Sequence, residues 1–160
     1  MLRLIAIALM SLLALGCSST GPAADRFPNV VEITGCVERD RAEPDAWACL
    51  HCAWDGEGAL EIFHTNTVFN CCPLDYGGKV TVQGDEIAIE EIEGVGQCDC
   101  LCPYDILYRI EGLEPGTYDL EVEELYLEPG NEQFDVRLIL EEGIPSDREY
   151  CLERDGYPFW

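Results

Sequence analysis

Nine cysteines beyond position 17 carry most of the chemistry this chain can offer: Cys36, Cys49, Cys52, Cys71, Cys72, Cys98, Cys100, Cys102 and Cys151. Thiols at this density can form disulfides, hold a soft metal ion or exchange electrons. The densest run is Gln97-Cys98-Asp99-Cys100-Leu101-Cys102-Pro103-Tyr104, with Cys71-Cys72 upstream. In a regular strand Cys98, Cys100 and Cys102 face one way, ~6.6 Å apart in successive pairs and ~13 Å end to end. A disulfide needs Cβ atoms ~3.5–4.5 Å apart, so the three do not readily bridge one another. One zinc ion, with Zn–S bonds of ~2.3 Å, takes two neighbours, and hardly all three unless the strand bends. Each sulfur therefore calls for a partner elsewhere, and Cys71, Cys72 and one earlier cysteine are the natural ones. As adjacent strand residues Cys71 and Cys72 point to opposite faces, so both serve only if Pro73 twists the chain there.

Three readings compete for these thiols. A disulfide scaffold is favoured, because an exported chain rich in cysteine ordinarily uses it for staples. A metal site would draw Cu or Zn onto Cys71, Cys72, Cys98, Cys100 and Cys102, with His64. Its thiolates would have to stay reduced outside the cytoplasm, which counts against it, and a bent run with converging sulfurs would restore it. A redox role rests on Cys49-Leu50-His51-Cys52, which resembles the active motif of the thioredoxin superfamily. There a helix N-terminus lowers the pKa of the first thiol. Here Ala53-Trp54-Asp55-Gly56-Glu57-Gly58 follows, which does not start a helix, and no βαβ pattern surrounds it. A local disulfide, or two cysteines bridging separately, is the expectation.

His51 and His64 are the only histidines. His64 shares a strand face with Leu60 and Ile62, so a partly buried, hydrogen-bonded imidazole is expected. No Ser/His/Asp set, phosphate loop or His-Glu-x-x-His motif occurs. Glu90-Glu91, Glu123-Glu124 and Glu141-Glu142 are adjacent pairs whose members a strand sends to opposite faces, a poor arrangement for acid/base work. No calcium-loop spacing is present. The expectation is a protein that is not an enzyme.

The chain's address is written at its start. Met1-Leu2-Arg3 is followed by apolar residues from Leu4 to Leu15, too short a run for a bilayer, which needs ~20 residues. Leu13-Ala14-Leu15-Gly16-Cys17 resembles the lipobox of bacterial lipoproteins, in which the cysteine is lipidated and the preceding segment removed. The resemblance implies a signal peptide over 1–16, lipidated Cys17 opening a tether over 17–28, and a domain over 29–160. Two or three acyl chains anchor stably where one does not. Ser18 in place of aspartate favours the outer membrane if the source is Gram-negative. Loss of Arg3 with the signal moves the net charge from −23 to −24. Such a surface repels nucleic acid, which is excluded as a partner. It could attract calcium or a basic partner, but a solvated, self-repelling surface is the plainer reading. An unidentified envelope protein remains the expected partner class.

These residues need a scaffold, and the chain's patterning supplies one. Asn29–Gly35, Trp47–Trp54, Ala59–Thr65, Lys79–Gln83, Glu86–Glu93, Pro103–Ile110, Tyr118–Val122 and Phe134–Leu140 read as strands, with turn residues between them. Ile87 and Ile89 point inward, and Ile92 falls out of register, which predicts a bulge. Acidic residues 38–45 read as a loop. The pattern predicts an all-β sandwich of about 7–9 short strands. Ile110-Glu111-Gly112-Leu113-Glu114-Pro115-Gly116-Thr117-Tyr118 resembles the corner of immunoglobulin-like and prealbumin-like domains. That resemblance implies an immunoglobulin-like fold and a tyrosine hydroxyl tying the corner. Phe69-Asn70-Cys71-Cys72-Pro73 with Cys98-Asp99-Cys100-Leu101-Cys102-Pro103-Tyr104-Asp105 resembles envelope lipoproteins with an Asn-Cys-Cys … Cys-x-Cys-x-Cys pattern, and implies no activity.

Overall fold

A computed structural model describes residues 28–36, 47–94 and 98–155. The expected signal over 1–16, Cys17 with nearly all of its tether, and the acidic stretch 38–45 lie outside the described residues. Nine strands occur among the latter: β1 (Val30–Ile33), β2 (Trp47–Trp54), β3 (Ala59–Asn70), β4 (Tyr76–Gln83), β5 (Glu86–Glu93), β6 (Leu101–Glu111), β7 (Gly116–Glu123), β8 (Phe134–Leu140) and β9 (Ser146–Glu153). They build a five-stranded sheet, β1-β6-β3-β2-β9, and a four-stranded sheet, β4-β5-β7-β8. Neighbours are antiparallel except β5 and β7, which run parallel. The all-β sandwich expected from the sequence is the fold.

Period-two alternation sends one side of each central strand inward. Ala48, Leu50, Cys52 and Trp54 of β2 meet Leu60 and Ile62 of β3 and Tyr104, Ile106, Tyr108 and Ile110 of β6. Ile87, Ile89, Leu120, Val122, Phe134, Leu138 and Leu140 close the core from the other sheet. Each fully buried aliphatic or phenyl group stabilises by roughly 1.5–3 kcal/mol relative to exposure. At the corner before β7, the Tyr118 hydroxyl donates to the Glu114 carbonyl at 2.9 Å. Gly78 of β4 lets backbone approach the Tyr108 ring of the opposite sheet, since a Cβ there would lie 2.6 Å from Cε1 and from the hydroxyl oxygen.

Three local expectations are corrected. The bulge is not at Ile92: β4 and β5 pair without a register shift, and the alternation of β5 continues inward through Glu91. The irregularity lies instead in β3, between His64 and Thr67 where it pairs with β6. Asn66 adopts φ 61° there, a left-handed conformation that Asn tolerates better than most residues. Its N–H donates to Asp105 Oδ1 at 3.0 Å and its side-chain amide to the Trp47 carbonyl at 2.6 Å. The extra residue changes the inward phase from even to odd numbers, so His64, Thr67 and Phe69 all enter the interior. Second, the strands read from the sequence stop at Phe134–Leu140, but one more is present. β9 follows along the edge of the five-stranded sheet, too polar at Ser146-Asp147-Arg148-Glu149 for alternation to reveal it. Third, regular strand begins only at Leu101, so Cys98 and Cys100 lie in the preceding turn.

Candidate functional site

The bent run does not focus its sulfurs on one point. Cys71 meets Cys100, Cys72 meets Cys98, and Cys102 meets Cys36 beyond the end of β1. Cys49 of β2 meets Cys151 of β9. These four pairs stand at disulfide distance, and each bond stabilises by ~2–4 kcal/mol. Asn70, the last residue of β3, explains the Asn-Cys-Cys element. Its Oδ1 accepts the Cys72 N–H at 2.9 Å and its Nδ2 donates to the Cys98 carbonyl at 2.6 Å. The Cys71 N–H adds a 3.0 Å bond to the Cys100 carbonyl. The two segments are thereby held at the separation that two neighbouring bridges need. Of the proposed metal set, the five cysteines engage one another or Cys36, and His64 engages a carboxylate.

Cys52, included among the candidate disulfide cysteines, is corrected: it is a free, buried thiol. Alternation along β2 places Cys49 on the outer face and Cys52 on the inner one, so the Cys-x-x-Cys pair cannot close on itself. Burial, then the charge of Asp147, pushes the Cys52 thiol up to about 12, away from thiolate chemistry. Of the nine cysteines after Cys17, Cys52 is the one without a disulfide partner.

The feature that sequence reasoning missed is a charged cluster sealed between the sheets. His64 of β3 is fully buried, and its Nδ1–H donates to Glu91 Oε1 of β5 at 2.9 Å. The Thr67 hydroxyl donates to the other oxygen, Glu91 Oε2, at 2.5 Å. On the far side, His64 Nε2 lies 3.8 Å from Glu124 Oε1, just past the end of β7. Glu124 pairs through Oε2 with Arg154, just past the end of β9. The Arg154 guanidinium also donates to the Glu132 carbonyl at 2.6 Å and stacks 5.1 Å from the Phe134 ring centre. The ring of His64 meets the same phenyl edge-on.

Two of the three doublets send their carboxylates to opposite faces, as strand geometry requires, whereas Glu141 and Glu142 are both exposed at a turn. Glu91 and Glu124 are the inward members, and they converge from different parts of the second sheet on His64. The only signal in sequence was Glu91 at the i+2 position after Ile87 and Ile89. Burial presses the His64 pKa down, but the Glu91 carboxylate outweighs it and the net direction is up. Burial raises the Glu124 pKa and lowers that of Arg154. His64 Nε2 and Arg154 Nε have no hydrogen-bond partner among the described residues.

The sequence predicts a partly buried, hydrogen-bonded His64; the hydrogen bond is there, and the burial is complete. Chemically, the cluster can hold a proton between the sheets and tie the ends of β7 and β9 to β3 and β5. No protein-family model, curated protein or solved structure matches the chain.

Proposed function

We propose that the protein is a lipid-anchored component of a bacterial envelope, whose disulfide-stapled sandwich serves a structural or binding role toward an envelope partner. The observation that carries this reading is the meeting of eight of the nine cysteines after Cys17 in four pairs, leaving only buried Cys52. That use of cysteine suits an oxidising compartment, and the signal with its lipobox-like end suits the same destination. The alternative, a Cu or Zn site on Cys71, Cys72, Cys98, Cys100 and Cys102, would require these bridges to be opened.

The test is expression of the full chain in a host that processes lipoproteins, with labelled palmitate in the medium. The wild-type chain is expected to carry label and fractionate with membranes, and the Cys17→Ser chain to do neither. Label retained by Cys17→Ser, or absent from wild type, overturns the anchor.

A further inference from the structure

We propose that the outer face of the β2–β9 ribbon is a redox-gated zinc site, formed by Cys49, Cys151, Glu149 and His51 once a dithiol has reduced the Cys49–Cys151 bond. In the antiparallel register Cys49 stands opposite Cys151, and His51 stands opposite Glu149. A spacing of two on each strand puts all four on one face. The Cα atoms of Cys49 and Cys151 are 4.1 Å apart, the narrow type of antiparallel pair. Two residues along, His51 and Glu149 form a backbone pair of the same type.

The ligand atoms of Cys49, Cys151 and Glu149 already lie within 4.8 Å of one another. A tetrahedral zinc ion with Zn–S bonds of ~2.3 Å needs ligands about 3.8 Å apart. Opening the S–S bond and rotating the side chains modestly covers the difference. His51 lies outside that trio and must turn its ring toward the sulfurs to take the fourth position; its Nε2 is held by Asp147 Oδ1 at 2.7 Å. That bond leaves Nδ1 as the ligating nitrogen, and a carboxylate holding the other ring nitrogen is the usual way a metal-binding imidazole is oriented.

Access favours this bridge. Cys151 and Glu149 are exposed on an edge strand, and Cys49 and His51 are half-buried. In the Cys36–Cys102 bridge Cys36 is exposed as well, but Cys102 is only 4% exposed. Exposed disulfides are the more readily reduced ones. The Cys72–Cys98 bridge is also partly exposed, but among the described residues no carboxylate or imidazole completes a ligand trio there. The net charge of −23 raises the local concentration of divalent cations.

The chemistry balances. A dithiol gives two electrons and two protons to the Cys49–Cys151 bond and leaves as its own disulfide. Zn²⁺ then displaces both thiol protons to solvent; passing the two thiolate electrons to a second disulfide, which takes up two protons and leaves as a dithiol, re-forms the bond and releases the ion. The site shares no residue with the Cys71/Cys72/Cys98/Cys100/Cys102 set, and it stands independently of the lipid anchor.

The test uses the mature chain, with bridges mapped by alkylation and Co²⁺ as the spectroscopic probe. Oxidised wild type should show no thiolate–Co²⁺ charge-transfer band. With Cys49–Cys151 open, one equivalent should bind, about tenfold more weakly in Glu149→Gln and His51→Gln. Asp147→Asn should weaken binding by roughly 10–100-fold, as removal of an orienting partner does. Cys49→Ser releases the Cys151 thiol without any reductant but lacks one of the two thiolates, so it should bind Co²⁺ more weakly than the opened wild type. No band in the opened wild type, or equal affinity in Cys49→Ser, overturns the proposal. So does equal affinity in wild type, Glu149→Gln and His51→Gln, or a band that survives in Cys49→Ser/Cys151→Ser after reduction.

Discussion

His64 Nε2 faces the Glu124 carboxylate at 3.8 Å inside the sandwich, while Nδ1 of the same ring is held by Glu91 at 2.9 Å. With both carboxylates ionised, Arg154 offsets only one of the two negative charges. A proton on His64 completes neutrality, and without it the Nε2 lone pair confronts a carboxylate. Buried charge left uncompensated is costly, so the proton belongs to the fold.

Stability should therefore fall as pH rises through neutrality. The folded pKa of His64 is raised, so its contribution is complete below the unfolded value of ~6.5 and disappears as pH passes the higher folded value. The raised pKa of Glu124 acts in the same direction, its cost appearing above the ordinary carboxylate range. Asp55 and Asp119, both lowered, add stability that is lost only in acid and stay constant across this window. Urea unfolding between pH 5.5 and 8.5 should show a decline that is largely absent in His64→Gln. Parallel profiles for the two chains would refute the assignment.

Removal of Arg154 leaves Glu124 without its ion-pair partner and protonated His64 as the one cation between two carboxylates. Arg154→Met should lower stability by ~3–5 kcal/mol, the scale of a broken buried pair. Adding Glu124→Gln should recover part of that loss, because the orphaned charge is then gone. Hydrogen exchange should locate the loosening at the end of β9 and the start of β8. Exchange that accelerates uniformly instead would argue against a local clasp.

Cys52 should be the single thiol of the mature, acylated chain. With its pKa near 12 and the side chain buried, it should resist alkylation at pH 8 in the native state and react once on unfolding without reductant. Cys52→Ala should leave all four bridges intact and cost about 1 kcal/mol, the scale of a buried methylene-sized group. Two or more titratable thiols would contradict the pairing.

Gly78→Ala should destabilise by ~1–3 kcal/mol through overpacking. Tyr108→Phe should not rescue it, because ring carbon Cε1 stands as close as the hydroxyl oxygen, at 2.6 Å. Full rescue would mean that only the hydroxyl makes the contact.

Strand patterning was readable because alternation is local: Leu60-x-Ile62 and Tyr104-x-Ile106-x-Tyr108 announce their inner faces without reference to any partner. β9 was not readable, since an edge strand with one side in water need not alternate. The bulge at Asn66 escaped for a related reason. Nothing in Thr65-Asn66-Thr67 marks which residue is extra, and the contacts that hold it come from Trp47 and Asp105.

The amino-acid sequence alone determined the class of fold, the expected export address and, if Cys17 is acylated, that at least one of the nine other cysteines has no intramolecular partner. Tertiary structure decided which one, because facing across a sheet depends on register, and Cys49 and Cys52 are separated by the face of a strand rather than by distance along it. It also decided that Glu91 and Glu124 are interior residues. A carboxylate enters a core only where cations and donors already wait, and here those are His64, Thr67 and Arg154, brought from three other parts of the chain.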